Sequence, residues 1–437
     1  MHSMFNRVHR LALGLGVLAT ALGPYGAVTA KDSIDVGVVA FLSGPAAGPF
    51  GVPGKNGAEL VIDAINAGTL PAPYDTAGFA GATLNPIHID ESGGNAKQVA
   101  EYRNLVEKQG VDAVIGYISS GTCLAVTPVA EELKKLTILS VCGTPRIFED
   151  GDWTHIFRTQ AHAVGDSIAA ALYVRDNFGD VAGYTGINQN YAWGQDSWKS
   201  FSLAMGHFVP KAEVSSTPQF PKIFAGQYGT EISTLALDDA ELVHSSFWDG
   251  DIEAFVVQAK VRGFFDNKQF LSTVGASAID SLGSEFPDGT IIGTRGEIGI
   301  LVREKSGPLN TWFVNAYRER YGAWPLGPSY QYAQAVLALK IAMDKAARDH
   351  GGFPTQDQVI AAMKGLSFET FAGRIELALG NGHQAVHPVG YGITRWNDET
   401  GEPEVTNITF YPSKCIYPPA GKPSLDWLAE GMPGSDC

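Results

Sequence analysis

Two short apolar segments separated by a helix-like segment place the strongest constraint on the fold. Residues 113–118 and 137–141 have the composition of buried strands. Ser-Ser-Gly-Thr follows the first at 119–122, and Cys-Gly-Thr-Pro follows the second at 142–145. The pattern predicts a β-α-β unit with both strand ends at one edge of a sheet. Ligands of open α/β sheets bind at that edge, and a helix N-terminus there attracts a carboxylate or phosphate. The unit therefore predicts a binding site for a small anionic group.

The same alternation of strands and helices continues along most of the 437 residues. Strand-like apolar segments occur at residues 34–42, 84–90, 113–118, 137–141, 153–159, 181–187, 241–246, 270–274, 371–377 and 389–396. A chain of this length exceeds what one core usually supports. We therefore expect an α/β fold of two Rossmann-like lobes joined by a multi-strand hinge, which allows closure on a ligand. The expected parts are a signal peptide at 1–30, a first lobe at 31–160 plus 295–367, a second lobe at 161–294 plus 368–412, and an irregular tail at 413–437.

The N-terminus has the features of an export signal. Arg7 and Arg10 precede an uncharged run at residues 11–23, and Val28-Thr-Ala30 offers the small residues of a cleavage site. A membrane anchor is the alternative, but it needs about 20 apolar residues. This run is shorter and is interrupted by Gly and Pro. We expect cleavage near Ala30 and a periplasmic protein. The net charge of −15 argues against a nucleic-acid partner.

Four cysteines follow the expected cleavage site. An even number in an oxidising compartment permits two disulfides. Cys123 and Cys142 come after neighbouring strands, and Cys415 with Cys437 would anchor the tail. Two buried free thiols near the crevice of the first lobe are the alternative, and no cysteine pair has the short spacing of a zinc site.

Motifs of catalysis are missing from the sequence. It contains neither a G-x-S-x-G elbow nor an H-E-x-x-H pair. His383 and His387 have a spacing that a metal would accept, but Gly, Asn and Pro surround them, so we expect solvated loop histidines. The sequence predicts no enzyme, no cofactor and no bound metal.

A series of short motifs along residues 34–396 carries a family resemblance. They are residues 36–45 (VGVVAFLSGP), 56–66 (NGAELVIDAIN), 114–116 with the following Ser pair, 157–159 (FRT), 193–194 (WG), 258–263 (QAKVRG) and 371–375 (FAGRI). In order and spacing they resemble the periplasmic solute-binding proteins of ABC importers, of the branched-chain amino-acid binding type. The resemblance implies a type I periplasmic-binding fold, a small carboxylate ligand, and delivery to an inner-membrane ABC permease by a receptor that we expect to be monomeric.

The resemblance also implies individual site residues. The first lobe would hold the ligand carboxylate with Ser119, Ser120, Gly143 and Thr144. Aromatic rings would come from both lobes. They are Phe50, Trp193 and Trp248. A lone Trp is more often a core residue, but Trp193 and Trp248 each stand among polar residues after a strand.

One position departs from the family pattern. Amino-acid binders of the family carry an acidic residue that pairs with the ligand's ammonium, and Val274 stands there. Either Asp249 takes over this role, or the ligand has no ammonium. A branched-chain or other hydrophobic amino acid and an aromatic acid therefore both stay open. A ligand-sensing domain of a signalling system is the alternative function for the same fold.

Overall fold

The computed structural model of the protein describes residues 31–437. The expected signal peptide lies outside the described residues. The strands are β1 Ser33–Ala40, β2 Thr83–Asp90, β3 Ala113–Gly116, β4 Thr137–Leu139, β5 Ile156–Arg158, β6 Gly183–Ile187, β7 Glu213–Val214, β8 Leu242–Ser245, β9 Gln269–Ser272, β10 Ile291–Gly293, β11 Ser367–Glu369, β12 Arg374–Leu379, β13 Gln384–Val386, β14 Val389–Asn397 and β15 Glu402–Tyr411.

The helices have clear start and stop signals in several places. They are α1 Val52–Ala67, α2 Asn95–Arg103, α3 Ser120–Glu132, α4 Arg146–Glu149, α5 Ala163–Asn177, α6 Ala192–Phe208, α7 Gly229–Ala236, α8 Asp249–Val261, α9 Ile279–Leu282, α10 Pro308–Tyr321, α11 Gly327–His350, α12 Gln356–Met363, α13 Ser413–Ile416 and α14 Ser424–Ala429. Proline near the start and a left-handed glycine after the end bound α1 (Pro53, Gly68) and α11 (Pro328, Gly351). Within residues 31–437, none of the helices is both long and apolar enough to cross a membrane.

Two sheets form the centres of the two lobes. In the described part of the chain the first has the order β11-β12-β13-β5-β4-β3-β1-β2, and the second has the order β15-β14-β10-β9-β8-β6-β7. The strands from β2 to β13 in the first sheet are parallel, as are those from β7 to β10 in the second. Antiparallel strands complete one edge of each sheet. The predicted β-α-β unit is therefore present as β3, α3 and β4.

The boundary between the lobes near residue 368 was predicted wrongly. Strands β12 and β13 pair within the first sheet, and β13 lies parallel to β5. The chain returns to the second sheet only between Val386 and Val389, where β14 begins. Alternating apolar residues mark a strand but do not say which sheet it joins. Among the described residues, the crossings between sheets follow β5, β10 and β13.

Two histidines beside these crossings are buried rather than solvated. The ring of His383 stacks on Phe157 with centroids 4.2 Å apart. His387 accepts a hydrogen bond from the backbone N–H of Ala161 at Nε2 over 3.1 Å. The expectation of solvated loop histidines is wrong, because His383 packs against β5 and His387 packs against the crossing segment after β5. Residues 31–437 contain no cluster of three or more potential ligands that would hold a metal.

The C-terminal segment is ordered against the second lobe. The structure pairs Cys123 with Cys142 and Cys415 with Cys437. Helices α13 and α14 contact α5 and α6, and Trp427 is buried there. The prediction of an irregular tail is therefore wrong for residues 413–416 and 424–429. Their short helices carry few periodic residues, so their burial could not be read from the pattern.

Candidate functional site

A cavity lies between the two lobes, and both of them line it. We call it the cleft cavity. Its lining residues are Phe50, Ile118, Ser120, Val141 and Gly143 from the first lobe, Tyr191, Trp193, Trp248 and Val274 from the second, and Arg295 from the crossing after β10. The structure thus brings together five of the residues predicted from the sequence. They are Phe50, Ser120, Gly143, Trp193 and Trp248.

Ser120 is positioned as a hydrogen-bond donor to the cavity. Its Oγ accepts hydrogen bonds from the backbone N–H groups of Gly143 at 3.1 Å and Thr144 at 3.2 Å. These two donors use the acceptor capacity of the hydroxyl and leave its proton free. The N–H groups of Gly143 and Thr144 therefore donate to Ser120 and do not bind a ligand carboxylate directly. The hydroxyl of Ser120 is left to donate to the ligand instead.

The segment between β3 and α3 already holds a carboxyl group of the protein itself. Backbone N–H groups of Ile118 and Ser119 donate to the two oxygens of Glu91 at 2.8 and 2.9 Å. Burial raises the pKa of Glu91 to about 8, although these two N–H groups act in the opposite direction. These donors precede the first residue of α3, so the chain between β3 and α3, and not the first turn of the helix, holds Glu91. Ser119 does not line the cleft cavity.

Thr144 contacts the opposite lobe rather than the cavity. Its Oγ1 donates to Oδ2 of Asp196 on α6 at 2.5 Å. The guanidinium of Arg146 approaches the same oxygen, with Nε 3.3 Å away. Burial raises the pKa of Asp196, while Thr144 and Arg146 lower it. The predicted role of Thr144 at the ligand is therefore not supported, and its hydroxyl links the two lobes.

The aromatic wall of the cavity is held by polar contacts of the two indoles. Trp193 donates from Nε1 to the carbonyl of Ser246 at 2.8 Å, and Trp248 donates from Nε1 to the hydroxyl of Tyr191 at 2.8 Å. Phe50 of the first lobe meets Trp248 of the second edge to face, with ring centroids 5.1 Å apart. Both indoles thus have fixed orientations, and each is buried.

Asp249 does not take the position of the missing acidic residue. It lies outside the cavity lining and is fully buried. Its Oδ1 accepts from the backbone N–H of Asp251 at 2.6 Å, and Oδ2 accepts from Gln189 at 3.3 Å. Burial, with the nearby Asp251, raises the pKa of Asp249 well above its usual value. Val274, in contrast, lines the cavity.

Arg295 is a charged residue of the cavity that was not predicted from the sequence, and neither were Ile118, Val141 and Tyr191. Its guanidinium donates to Asp166 from Nε at 3.1 Å, to the carbonyl of Val141 at 2.6 Å and to that of Ala161 at 2.7 Å. It also lies 4.8 Å from the ring centroid of Trp193. Arg295 has a φ of +56°, a conformation that is uncommon outside glycine. It therefore joins both lobes and a crossing segment at the wall of the cavity.

The charges around the cavity favour an anion. Arg158 is buried nearby, and burial together with the charge of Arg295 lowers its pKa to about 9. Burial raises the pKa of Asp166 to about 7, against the opposing effect of Arg295. The described lining of the cleft cavity contains the cation Arg295 and no carboxylate. Arg158 has the carboxylates of Glu149 and Asp166 near it, whereas Arg295 is the charged group that reaches the described cavity lining. The charge that a ligand in the cavity meets is therefore positive.

A weak signal of Arg295 is visible in the sequence. It follows a short apolar segment at residues 291–294, in the same way that the predicted site residues follow their strands. The segment lies between the two expected parts of the first lobe, where the chain crosses the hinge. Residues that follow a strand at a crossing between the sheets are therefore candidates for the binding site, as are residues that follow a strand within a lobe.

Fold and cavity together define a two-lobed protein that binds a small ligand between its lobes. Residues 33–401 match the family model described as periplasmic binding protein, and the chain belongs to this family. A Leu/Ile/Val-binding protein of Rhizobium johnstonii, BraC3, is 29% identical over 151 residues, which are 35% of this chain and 38% of that relative. A Leu/Ile/Val-binding protein homolog of Brucella melitensis is 24% identical over 300 residues, 67% of this chain and 77% of that protein.

Solved structures with the same fold include ABC-transporter solute-binding proteins with different ligands. One from R. palustris, in complex with 4-hydroxybenzoate, has a TM-score of 0.73 at 18% identity and covers 87% of this chain and 98% of its own. One from Rhodopseudomonas palustris BisB5, with 3,4-dihydroxybenzoic acid, has a TM-score of 0.74 at 19% identity, covering 88% and 98%. LivJ of Streptococcus pneumoniae, with isoleucine, has a TM-score of 0.70 at 16% identity, covering 87% and 99%. These likenesses show the fold.

Proposed function

We propose that this protein is the substrate-binding component of an ABC uptake system and that its ligand is a small aromatic carboxylic acid. One observation carries the choice of ligand. Among residues 31–437, the lining of the cleft cavity combines aromatic walls with one guanidinium and has no carboxylate. In this proposal Arg295 and the hydroxyl of Ser120 bind the ligand carboxylate, and Phe50, Trp193 and Trp248 contact the ring.

An amino acid fits this cavity less well than an acid without nitrogen. Its α-ammonium would be buried beside Val274 and near Arg295, and the described part of the lining offers no carboxylate to pair with it. A buried charge left unpaired costs about 3–5 kcal/mol. The carboxylate of an aromatic acid has a cation available, and its ring replaces water at an apolar surface. The neighbours of known structure with hydroxylated benzoates support this reading, and the isoleucine complex shows that the same fold also accepts an amino acid.

Closure of the lobes supplies the link to transport. A ligand shifts a two-state equilibrium only through contacts that differ between the states. Here the first lobe contributes Ser120 and the second contributes Trp193 and Trp248 to one cavity. The closed, loaded protein would deliver its ligand to an inner-membrane permease as an exported monomer cleaved near Ala30. Matches to transporter binding proteins do not favour the sensor alternative.

Matched ligand pairs test the proposed ligand class. We expect 3-phenylpropanoate to bind about 100-fold more tightly than phenylalanine in titration calorimetry. The two ligands differ only by the α-ammonium, which would be buried without a partner, and a 100-fold ratio corresponds to about 2.7 kcal/mol. The pair 4-methylpentanoate and leucine repeats the comparison without a ring. Benzoate binding should also raise the unfolding temperature of the protein. Tighter binding of phenylalanine or leucine than of their deaminated partners would contradict the proposal.

Two neighbouring serines test the carboxylate contact. Ser120→Ala should weaken benzoate binding by about 1–3 kcal/mol, because the O–H donor at a buried carboxylate is lost. Ser119→Ala is the matched control, since Ser119 does not line the cavity, and its affinity should equal that of the wild type. Calorimetry on both variants, with thermal unfolding to confirm their fold, measures this. Equal affinities of the Ser120 variant and the wild type would remove Ser120 from the site.

A further inference from the structure

The cleft cavity continues into a second space that none of the predicted site residues explains. We call it the side chamber. Its lining includes Ala276, Ser277, Ile300, Leu326, Pro328 and Gln331. Phe50, Val274 and Arg295 line both spaces, so the two are adjacent. A ligand whose carboxylate lies at Ser120 and Arg295 would reach the chamber by extending past Val274.

Two buried polar atoms in this chamber lack a partner. The Oγ of Ser277 and the Oε1 of Gln331 make no hydrogen bond within the described residues. Their side chains belong to residues that are 6% and 3% exposed. Buried polar groups are nearly always paired, because leaving one unpaired costs free energy. Both residues line the chamber, whose other walls are largely aliphatic.

The remaining charges of the chamber have partners within the protein. Asp280 at its edge forms an ion pair with Arg303. Gly327 and Pro328, which begin α11, also line the chamber. The positive end of this long helix favours an oxygen atom there over a cationic group. The chamber therefore offers a positive helix end, a hydroxyl and an amide oxygen, set among apolar side chains.

We propose that the side chamber is a specificity subsite for a hydroxyl group that the ligand carries at the end opposite its carboxylate. A hydroxyl both donates and accepts, so it can donate to the amide oxygen of Gln331 and can pair with the hydroxyl of Ser277 in either direction. A second carboxylate would only accept and would leave the Oε1 of Gln331 unpaired. The ligand class is thereby narrowed to hydroxylated aryl acids. This inference rests on the proposed aromatic-acid function.

The experiment compares acids with and without the hydroxyl. Calorimetry on the wild-type protein uses two pairs of probes, benzoate with 4-hydroxybenzoate and cinnamate with 4-hydroxycinnamate. We expect the hydroxyl to improve affinity about tenfold in at least one pair. In Gln331→Leu this gain should disappear, while the affinity for the acid without the hydroxyl stays at the wild-type value. No gain in either pair, or a gain that survives in Gln331→Leu, would overturn the subsite.

A second variant tests the space itself. Ala276→Leu adds bulk inside the chamber. In whichever pair the wild type prefers the hydroxylated acid, this variant should weaken binding of that acid about tenfold and leave the affinity for benzoate unchanged. Thermal unfolding without ligand confirms that both variants fold. Equal losses for hydroxylated acid and benzoate, or no loss for either, would contradict the placement. If the wild type binds no aryl acid at all, the proposed aromatic-acid function is contradicted. If it binds hydroxylated and non-hydroxylated acids equally well, only the proposed hydroxyl subsite is contradicted.

Discussion

Replacing Arg295 with methionine should lower the affinity for benzoate about 100-fold or more, as expected when a buried carboxylate loses its cation. The guanidinium is the positive group of the cavity lining and contacts Trp193 and the first lobe at Val141. Arg295→Lys keeps the charge but cannot reproduce the planar set of donors, so an intermediate affinity is expected. Titration calorimetry with benzoate measures both variants.

Loss of stability must be separated from loss of binding in this experiment. Arg295→Met leaves the carboxylate of Asp166 buried without its ion pair, which destabilises the fold. The double variant Arg295→Met, Asp166→Asn removes both charges and should recover most of the unfolding temperature, yet still fail to bind. Arg262→Met, on the exposed end of α8, is the control with unchanged affinity. A double variant that binds benzoate normally would show that Arg295 acts only on the fold.

Adding a single methyl group at Gly143 should lower affinity about tenfold or more by preventing lobe closure. A Cβ at Gly143 would stand 2.4 Å from Cζ3 of Trp193 and 2.8 Å from Cζ of Arg295. Trp193 belongs to the opposite lobe, so its conflict with the added Cβ arises only when the lobes meet, whereas Arg295 also contacts the first lobe at Val141. Gly143→Ala should therefore still fold without ligand and lose benzoate affinity.

The matched control for this substitution is Gly121→Ala, in helix α3 of the same β-α-β unit. Its added Cβ would have no neighbour nearer than 3.6 Å, an ordinary contact. Small-angle scattering with saturating benzoate gives a second readout, since the wild type should become more compact and Gly143→Ala should stay extended. Wild-type affinity and compaction in Gly143→Ala would mean that the approach of Trp193 to Gly143 is not part of the bound state.

The predicted residues of the cavity share one property, which is their place after a strand. Ser120 and Gly143 follow β3 and β4, and Trp193 and Trp248 follow β6 and β8. Parallel strands bring such positions to one edge regardless of the details of packing. That is why the cavity and its aromatic walls could be predicted, and why the individual roles of Ser119, Thr144 and Asp249 could not.

Elements outside this regularity were predicted poorly. The edge strand β15 is largely exposed and carries little apolar alternation, so it was not recognised. Strands β12 and β13 were assigned to the second lobe, although they pair in the first sheet. A hydrophobic pattern indicates that a strand has a buried face. Which strand it pairs with depends on the path of the whole chain.

The sequence by itself determined two α/β lobes, the sheet edge at which the cavity lies, and the presence of Val274 where amino-acid binders of the family carry an acidic residue. Only the tertiary structure decided which side chains line that cavity. Glu91 lies before β3 in the chain and Arg295 after β10, yet Glu91 binds the backbone between β3 and α3, and Arg295 forms part of the cavity wall. Buried charges find their partners across long sequence distances, because solvation and geometry select them after the strands have assembled.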